Sequence, residues 1–261
     1  MGLRVSALLL RYLYLYRRSL ARSMEIFFWP VMDLLVWGFL SAYLQRVAAP
    51  GAISYLVGAM ILWDVLYRCQ QAITLSVTED IWVRNILNVF VTPIRTSELL
   101  LATSLMGVVK SMAPGLLLVG LAYGFYSFNL FALGASLAPF LVSLLLFGWA
   151  VGMFTAALIL RFGQAAEALV WGVPFLIQPV SAVFYPVDVL PAWLRGVAYL
   201  LPSTYVFEGM RRVLARGSMD GRLLAGAFVL NVAYLFAGAA FFGWMLRRVR
   251  EKGYLGRLGM E

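Results

Sequence analysis

Four ionisable side chains lie where this chain can least easily hold charge. Asp33, Asp64, Arg68 and Lys110 interrupt stretches otherwise built from Leu, Val, Ile, Phe, Trp and Ala. Charge in a hydrocarbon layer is expensive, so such groups pair or face an aqueous cavity. Asp64 and Arg68 are one helical turn apart and can pair directly. At 1.5 Å per residue, Asp33 lies about 13 Å and Lys110 about 18 Å from the cytosolic ends of their segments, so the two could meet. Two acids and two bases at similar depth make a neutral network. It could be a structural tie, a gate that breaks on transport, or a substrate contact, and the residues leave these open. A proton relay is disfavoured, because a basic partner opposes protonation of an acid.

Other chemistries lack their residues. There are no histidines and one cysteine, Cys69, read as a small buried hydrophobe. That removes disulfides, thiolate clusters and histidine-based metal or acid–base sites. The only lysines, Lys110 and Lys252, do not complete a phosphate-binding G-x-x-x-x-G-K-[ST] loop. No metal, cofactor or catalytic set is expected on this chain.

These residues must be positioned by membrane helices. Of the 261 residues 63% are hydrophobic and 13% charged, against roughly half and a quarter in soluble domains. Spans need about 20 apolar residues, which predicts six, at 24–44, 52–77, 99–126, 134–160, 168–184 and 223–246. The fifth carries Pro174 and Pro179 and is expected to kink. No cleavable signal peptide is apparent before the first span. Basic residues divide 13 to 6 in favour of the side bearing both termini, which places the termini in the cytosol. The net charge of +9 then reflects cytosolic Lys/Arg and anionic lipid rather than nucleic acid.

Between the spans lie three informative segments. Residues 1–23 place Arg4, Arg11 and Arg18 at a seven-residue spacing opposite a Leu/Tyr-rich face, which predicts an amphipathic helix in the membrane interface. Residues 78–93 predict a short flat helix with Asp80, Arg84, Asn88 and Thr92 on one ridge, Asn85 beside it, and Pro93 as its stop. Residues 188–217 hold two apolar runs, each near a proline (Pro191 and Pro202), too short to span and expected to re-enter the outer leaflet. The arginines Arg211, Arg212, Arg216 and Arg222 either bind phosphates or form a face paired with Glu208 and Asp220. Gly148, Gly152 and Ala156 make a small-residue row suited equally to self-association and to packing within one subunit.

Two patterns carry a resemblance. DIWVRNILNVFVTPIRTSE (Asp80–Glu98) resembles the coupling helix of type-2 ABC exporter permeases, and PVSAVFYPVDVLPAWLRGVAYLLPSTYVFEGMR (Pro179–Arg211) resembles their stretch before the last helix. The chain is thus similar throughout to an ABC-2-type permease, an all-α integral membrane protein of six transmembrane helices. The resemblance implies a homodimer joined to two separate ATPase subunits, which use ATP and Mg, in a bacterial inner membrane. It assigns ATPase coupling to Glu79, Asp80, Arg84, Asn85 and Asn88. The outer region would be built on Tyr185, Pro186, Pro191, Pro202, Glu208 and Arg211. The cargo it implies is a glycan or glycolipid, a lipid or an amphipathic drug, following a path between the first, second and fifth spans. Ala182 stands where many relatives have glycine, a difference expected to affect packing only. An ion-coupled transporter or channel without an ATPase is the alternative class.

Overall fold

The computed structural model describes residues 2–18, 20–47, 51–83 and 85–253. Arg84 of the predicted coupling ridge and Arg257 lie outside the described residues, and the side chain of Arg22 is not described. The described residues contain no strand. Apolar helices satisfy their own backbone groups, the requirement that hydrocarbon imposes.

The helices are α1 (Gly2–Arg17), α2 (Leu20–Val47), α3 (Ala52–Trp82), α4 (Ile86–Val91), α5 (Thr96–Tyr126), α6 (Leu137–Phe162), α7 (Leu169–Val180), α8 (Ala192–Ala198), α9 (Pro202–Arg216) and α10 (Gly221–Glu251). Five of them, α2, α3, α5, α6 and α10, are long and apolar enough to cross a membrane. The stretch expected as the fifth span forms α7, which has 12 residues. At 1.5 Å per residue it covers about 18 Å, short of the ~30 Å hydrocarbon layer. It stops where Ala182 takes a left-handed backbone, φ 51°. That conformation costs a non-glycine residue about 1–2 kcal/mol. An alanine here therefore carries a backbone cost, so the expectation of a packing effect alone is too narrow.

The segment 78–93 is not one helix either. Thr78, Glu79 and Asp80 continue α3 to Trp82, and the backbone turns at Val83 before α4 starts after Asn85. Two short helices occupy the two apolar runs, with Pro191 capping α8 and Pro202 opening α9.

α3 is the central helix, packed on α6, α5 and α2, while α10 packs on α6 and α9, and α1 on α5 and α2. Its residues are apolar on nearly every side, as a helix surrounded by others requires. Gly148 and Gly152 let α6 lie against it. A Cβ on Gly148 would come within 2.6 Å of the Leu66 carbonyl, and one on Gly152 within 2.8 Å of the Gln70 carbonyl. The small-residue row is thus used inside the subunit. The Asn231 side-chain amide donates to the Ser143 hydroxyl at 2.7 Å, a buried tie between α10 and α6.

Two large apolar cores result, beside a small cluster of Ala182, Val187, Leu190 and Ala198. One joins α1 to the adjoining ends of α3, α5, α6 and α10, from Tyr12 to Val249. The other fills the opposite end around Phe140, Phe147, Phe207 and Met210. The two ends of the described chain accordingly sit at the same end of the bundle.

Candidate functional site

The first core carries the predicted coupling residues. The Arg11 guanidinium, from α1, donates to both oxygens of Asp80, with Nη1 at 3.2 Å from Oδ2. The Asn85 amide donates to Asp80 Oδ1 at 3.1 Å, and Asn88 to Asn85 Oδ1 at 3.1 Å. Nearby, Arg4 donates to the Pro93 carbonyl at 2.6 Å and approaches Glu98 at 3.5 Å. Glu98 in turn accepts from the Arg95 backbone at 2.9 Å and caps α5. Asp80 is only 4% exposed. It therefore lies beneath α1 rather than on the open ridge expected from its spacing. Trp82, Val83, Asn88, Val91, Thr92 and Pro93 are exposed.

Electrostatics hold this junction tight. Burial lowers the Arg11 pKa, but the hydrogen bond and charge of Asp80 outweigh it and the guanidinium ends above its ordinary value. Burial, followed by the Asp80 charge, pushes the Tyr12 phenol up to about 12. Arg4 and Arg11 entered the sequence reading only as lipid-facing cations. Their spacing marked one face of a helix, but nothing in it named an acid 69 residues away.

Above this junction opens a cavity of about 560 Å³. α2 contributes Glu25 and Trp29, α3 contributes Tyr67, Arg68, Gln71 and Glu79, and α7 contributes Trp171 and Phe175. Lys110 reaches it from α5, its ammonium 4.0 Å from the centre of the Tyr16 ring and hydrogen-bonded to that hydroxyl. Tyr16 also donates to Glu79 at 3.5 Å. Trp82 closes one edge by donating to Glu167 at 3.2 Å.

Three of the four intramembrane charges thus stay together, and Lys110 stands apart from them. Arg68 pairs with Asp64 at 2.7 Å, both side chains 10% exposed. Asp33 lies within electrostatic reach of Arg68. Lys110 engages Tyr16 instead of Asp33. Cys69 is buried and donates to the Ser111 hydroxyl at 3.7 Å.

The end opposite the junction is a tied cap. Arg211 donates to the carbonyls of Ala182 (2.9 Å) and Val183 (3.2 Å) and to Glu208 (2.9 Å). Glu208 also accepts from the Val187 backbone at 2.8 Å. Burial draws the Arg211 pKa down, against the pull of Glu208. Tyr185 donates to the Pro179 carbonyl at 2.7 Å, and Pro186 leads into the turn at Val187–Val189. Arg212 pairs with Asp220 at 2.6 Å. Arg211 and Arg212 are thus part of the paired face, one of the two readings of the outer arginines.

A membrane-helix bundle with an ion-paired junction at one end invites comparison with known transporters. The family model for the ABC-2 family transporter protein matches residues 45–247, more than three quarters of the chain. The chain belongs to the ABC-2 transporter family. A search of curated proteins gave no match. As an ABC-2 permease it is a multi-pass membrane component of transport, and the family works with an ABC ATPase subunit. The matched region takes in α3 to α9 and most of α10, and so holds the cavity walls apart from Tyr16 and the α2 residues.

Proposed function

We propose that this ABC-2 permease is the membrane half of an ATP-driven exporter, working as a homodimer with two separate ATPase subunits. It sits in the inner membrane with both termini in the cytosol. ATP and Mg belong to the partner. Its cargo is a glycan or glycolipid, a lipid or an amphipathic drug, and it enters the cavity between α2, α3 and α7.

The observation that carries this reading is the continuity of the cavity with the coupling junction. Glu79 lines the cavity, and its neighbour Asp80 is held by Arg11 and Asn85 next to α4. A push on the exposed Asn88 and Val91 therefore moves one wall of the cavity through α3. Trp82, tied to Glu167, carries the same displacement toward α7. The short α7 together with α8 and α9 completes the sixth crossing, the outer pair dipping into the leaflet. A second copy fits the exposed stripe of α2, where Asp33 would otherwise face lipid.

The test is reconstitution in nanodiscs with the candidate ATPase, comparing wild type with Asn88→Lys/Val91→Asp. ATPase binding by wild type and its loss in the variant, with an unchanged thermal midpoint, is the expected result. Cargo movement that persists without any ATPase would overturn the proposal in favour of a self-sufficient transporter.

A further inference from the structure

The cavity has an unequal charge balance and an unusual wall. Of the acids on or near it, Glu25 and Glu79 line it directly, Asp64 holds Arg68, and Asp33 lies within reach of Arg68. Against these four carboxylates stand two cations among the described side chains, Arg68 and Lys110. Arg68 is already met by Asp64, and Lys110 and Glu79 are both engaged with Tyr16 of α1. Glu25 is exposed and meets no hydrogen-bond or ion-pair partner among the described residues.

The ring-bearing side chains around it are equally open. Trp29 is 61% and Phe175 60% exposed, and Trp171 is 37% exposed. Phe175 leans on Tyr67 with ring centres 6.2 Å apart, so the α3 and α7 walls form one aromatic surface. Glu25, Trp29 and Asp33 recur every four residues on α2, a stripe about 12 Å long. A carboxylate set among open aromatic faces is the combination that attracts a cation with low hydration, through Coulomb attraction and the ring quadrupoles together. An anionic headgroup would meet the surplus carboxylates before it met a free base.

We infer that the cavity accepts an amphipathic organic cation, its charged centre at Glu25 and its apolar rings against Trp29, Trp171 and Phe175. This rests on the cavity being the cargo path proposed above, and it narrows the cargo classes to one. Glycans and neutral lipids would use the same rings but gain nothing from the carboxylates.

Tetraphenylphosphonium and tetraphenylborate are matched in size and shape and opposite in charge, so together they isolate the sign preference. Their equilibrium binding would be measured on the purified permease in nanodiscs, with empty discs subtracted and no ATPase present. The expected result is tetraphenylphosphonium binding about tenfold tighter than tetraphenylborate. Glu25→Gln should weaken the cation roughly five- to tenfold and leave the borate unchanged. Glu25→Asp should retain most of the affinity, and Trp171→Ala should weaken both probes. Equal binding or a preference for the borate overturns the inference, as does a Glu25→Gln protein of unchanged thermal midpoint that binds the cation like wild type. If cation binding fails while the ATPase still docks, the exporter reading stands without this cargo. If cations bind and no ATPase docks, the cavity assignment stands and the exporter reading falls.

Discussion

Arg11 and Asp80 are joined by a two-pronged ion pair that spans 69 residues of sequence and ties the interfacial helix to the end of the central span. Asp80 is almost wholly covered, while Arg11 keeps about 30% of its side chain open. The carboxylate, not the guanidinium, therefore suffers most when the pair is broken.

Arg11→Ala should lower stability by about 1–3 kcal/mol, since it leaves a buried acid with Asn85 as its remaining side-chain partner among the described residues. A double change, Arg11→Ala with Asp80→Asn, should lose less than the two single changes added together. Thermal midpoints in nanodiscs decide this. Additive losses would mean that the pair carries no coupling energy.

Tyr12 gives the junction a predictable alkaline limit. A phenol pushed up to about 12 in the docked state and ordinary near 10 when exposed holds its proton more tightly in the docked form. Docking is therefore unaffected below pH 10 and weakens as pH rises from 10 to 12, by about 2–3 kcal/mol across the window. Difference titration of wild type against Tyr12→Phe, followed by absorbance near 295 nm and protection of α1 from proteolysis, would register it. Identical alkaline profiles would show that the phenol is not buried.

Gly148→Ala and Gly152→Ala should both reduce the folded yield, each costing about 1–3 kcal/mol by pushing α6 off the α3 backbone. Their oligomeric state, read by light scattering on the folded fraction, should match wild type, because the row faces α3 in the same chain. A variant that folds normally but dissociates would place that row at an interface between copies.

At the cap around α9, Arg211→Lys keeps the charge but cannot serve two carbonyls and Glu208 in one plane. A loss of about 1–3 kcal/mol is expected. Hydrogen exchange at residues 182–190 should rise, with residues 73–83 unaffected. Exchange that rises equally at both ends would indicate one cooperative unit rather than a locally tied cap.

The long spans were legible because lipid demands sustained hydrophobicity, and the prolines before α8 and α9 marked their starts. Other features depend on contacts that periodicity does not encode. Asp80 shared a ridge with Asn88 by spacing, yet α3 runs through it and the chain turns at Val83, so the two residues part. Asp33 and Lys110 matched in depth, but depth along a helix does not state which neighbour it faces, and Lys110 met Tyr16. The shortness of α7 follows from a positive φ at an alanine, which no composition rule flags. Glu25 drew no notice because it stands at the charged end of a span, where an acid is unremarkable until the rings around it are known.

The reach of the α1 contacts bears on how the protein is made. Arg4 bonds the carbonyl of Pro93, 89 residues further on, so α1 is synthesised long before its seat exists. At roughly 5–20 residues per second, it waits several seconds while two membrane spans are threaded past it. Its greasy face needs a holding place during that interval, and the headgroup layer provides one. The same amphipathic pattern that looks like an anchor in the finished protein thus serves first as a parking position. The Arg4 and Arg11 contacts then close over α3 and α5 as a late seal on a correctly inserted amino-terminal half.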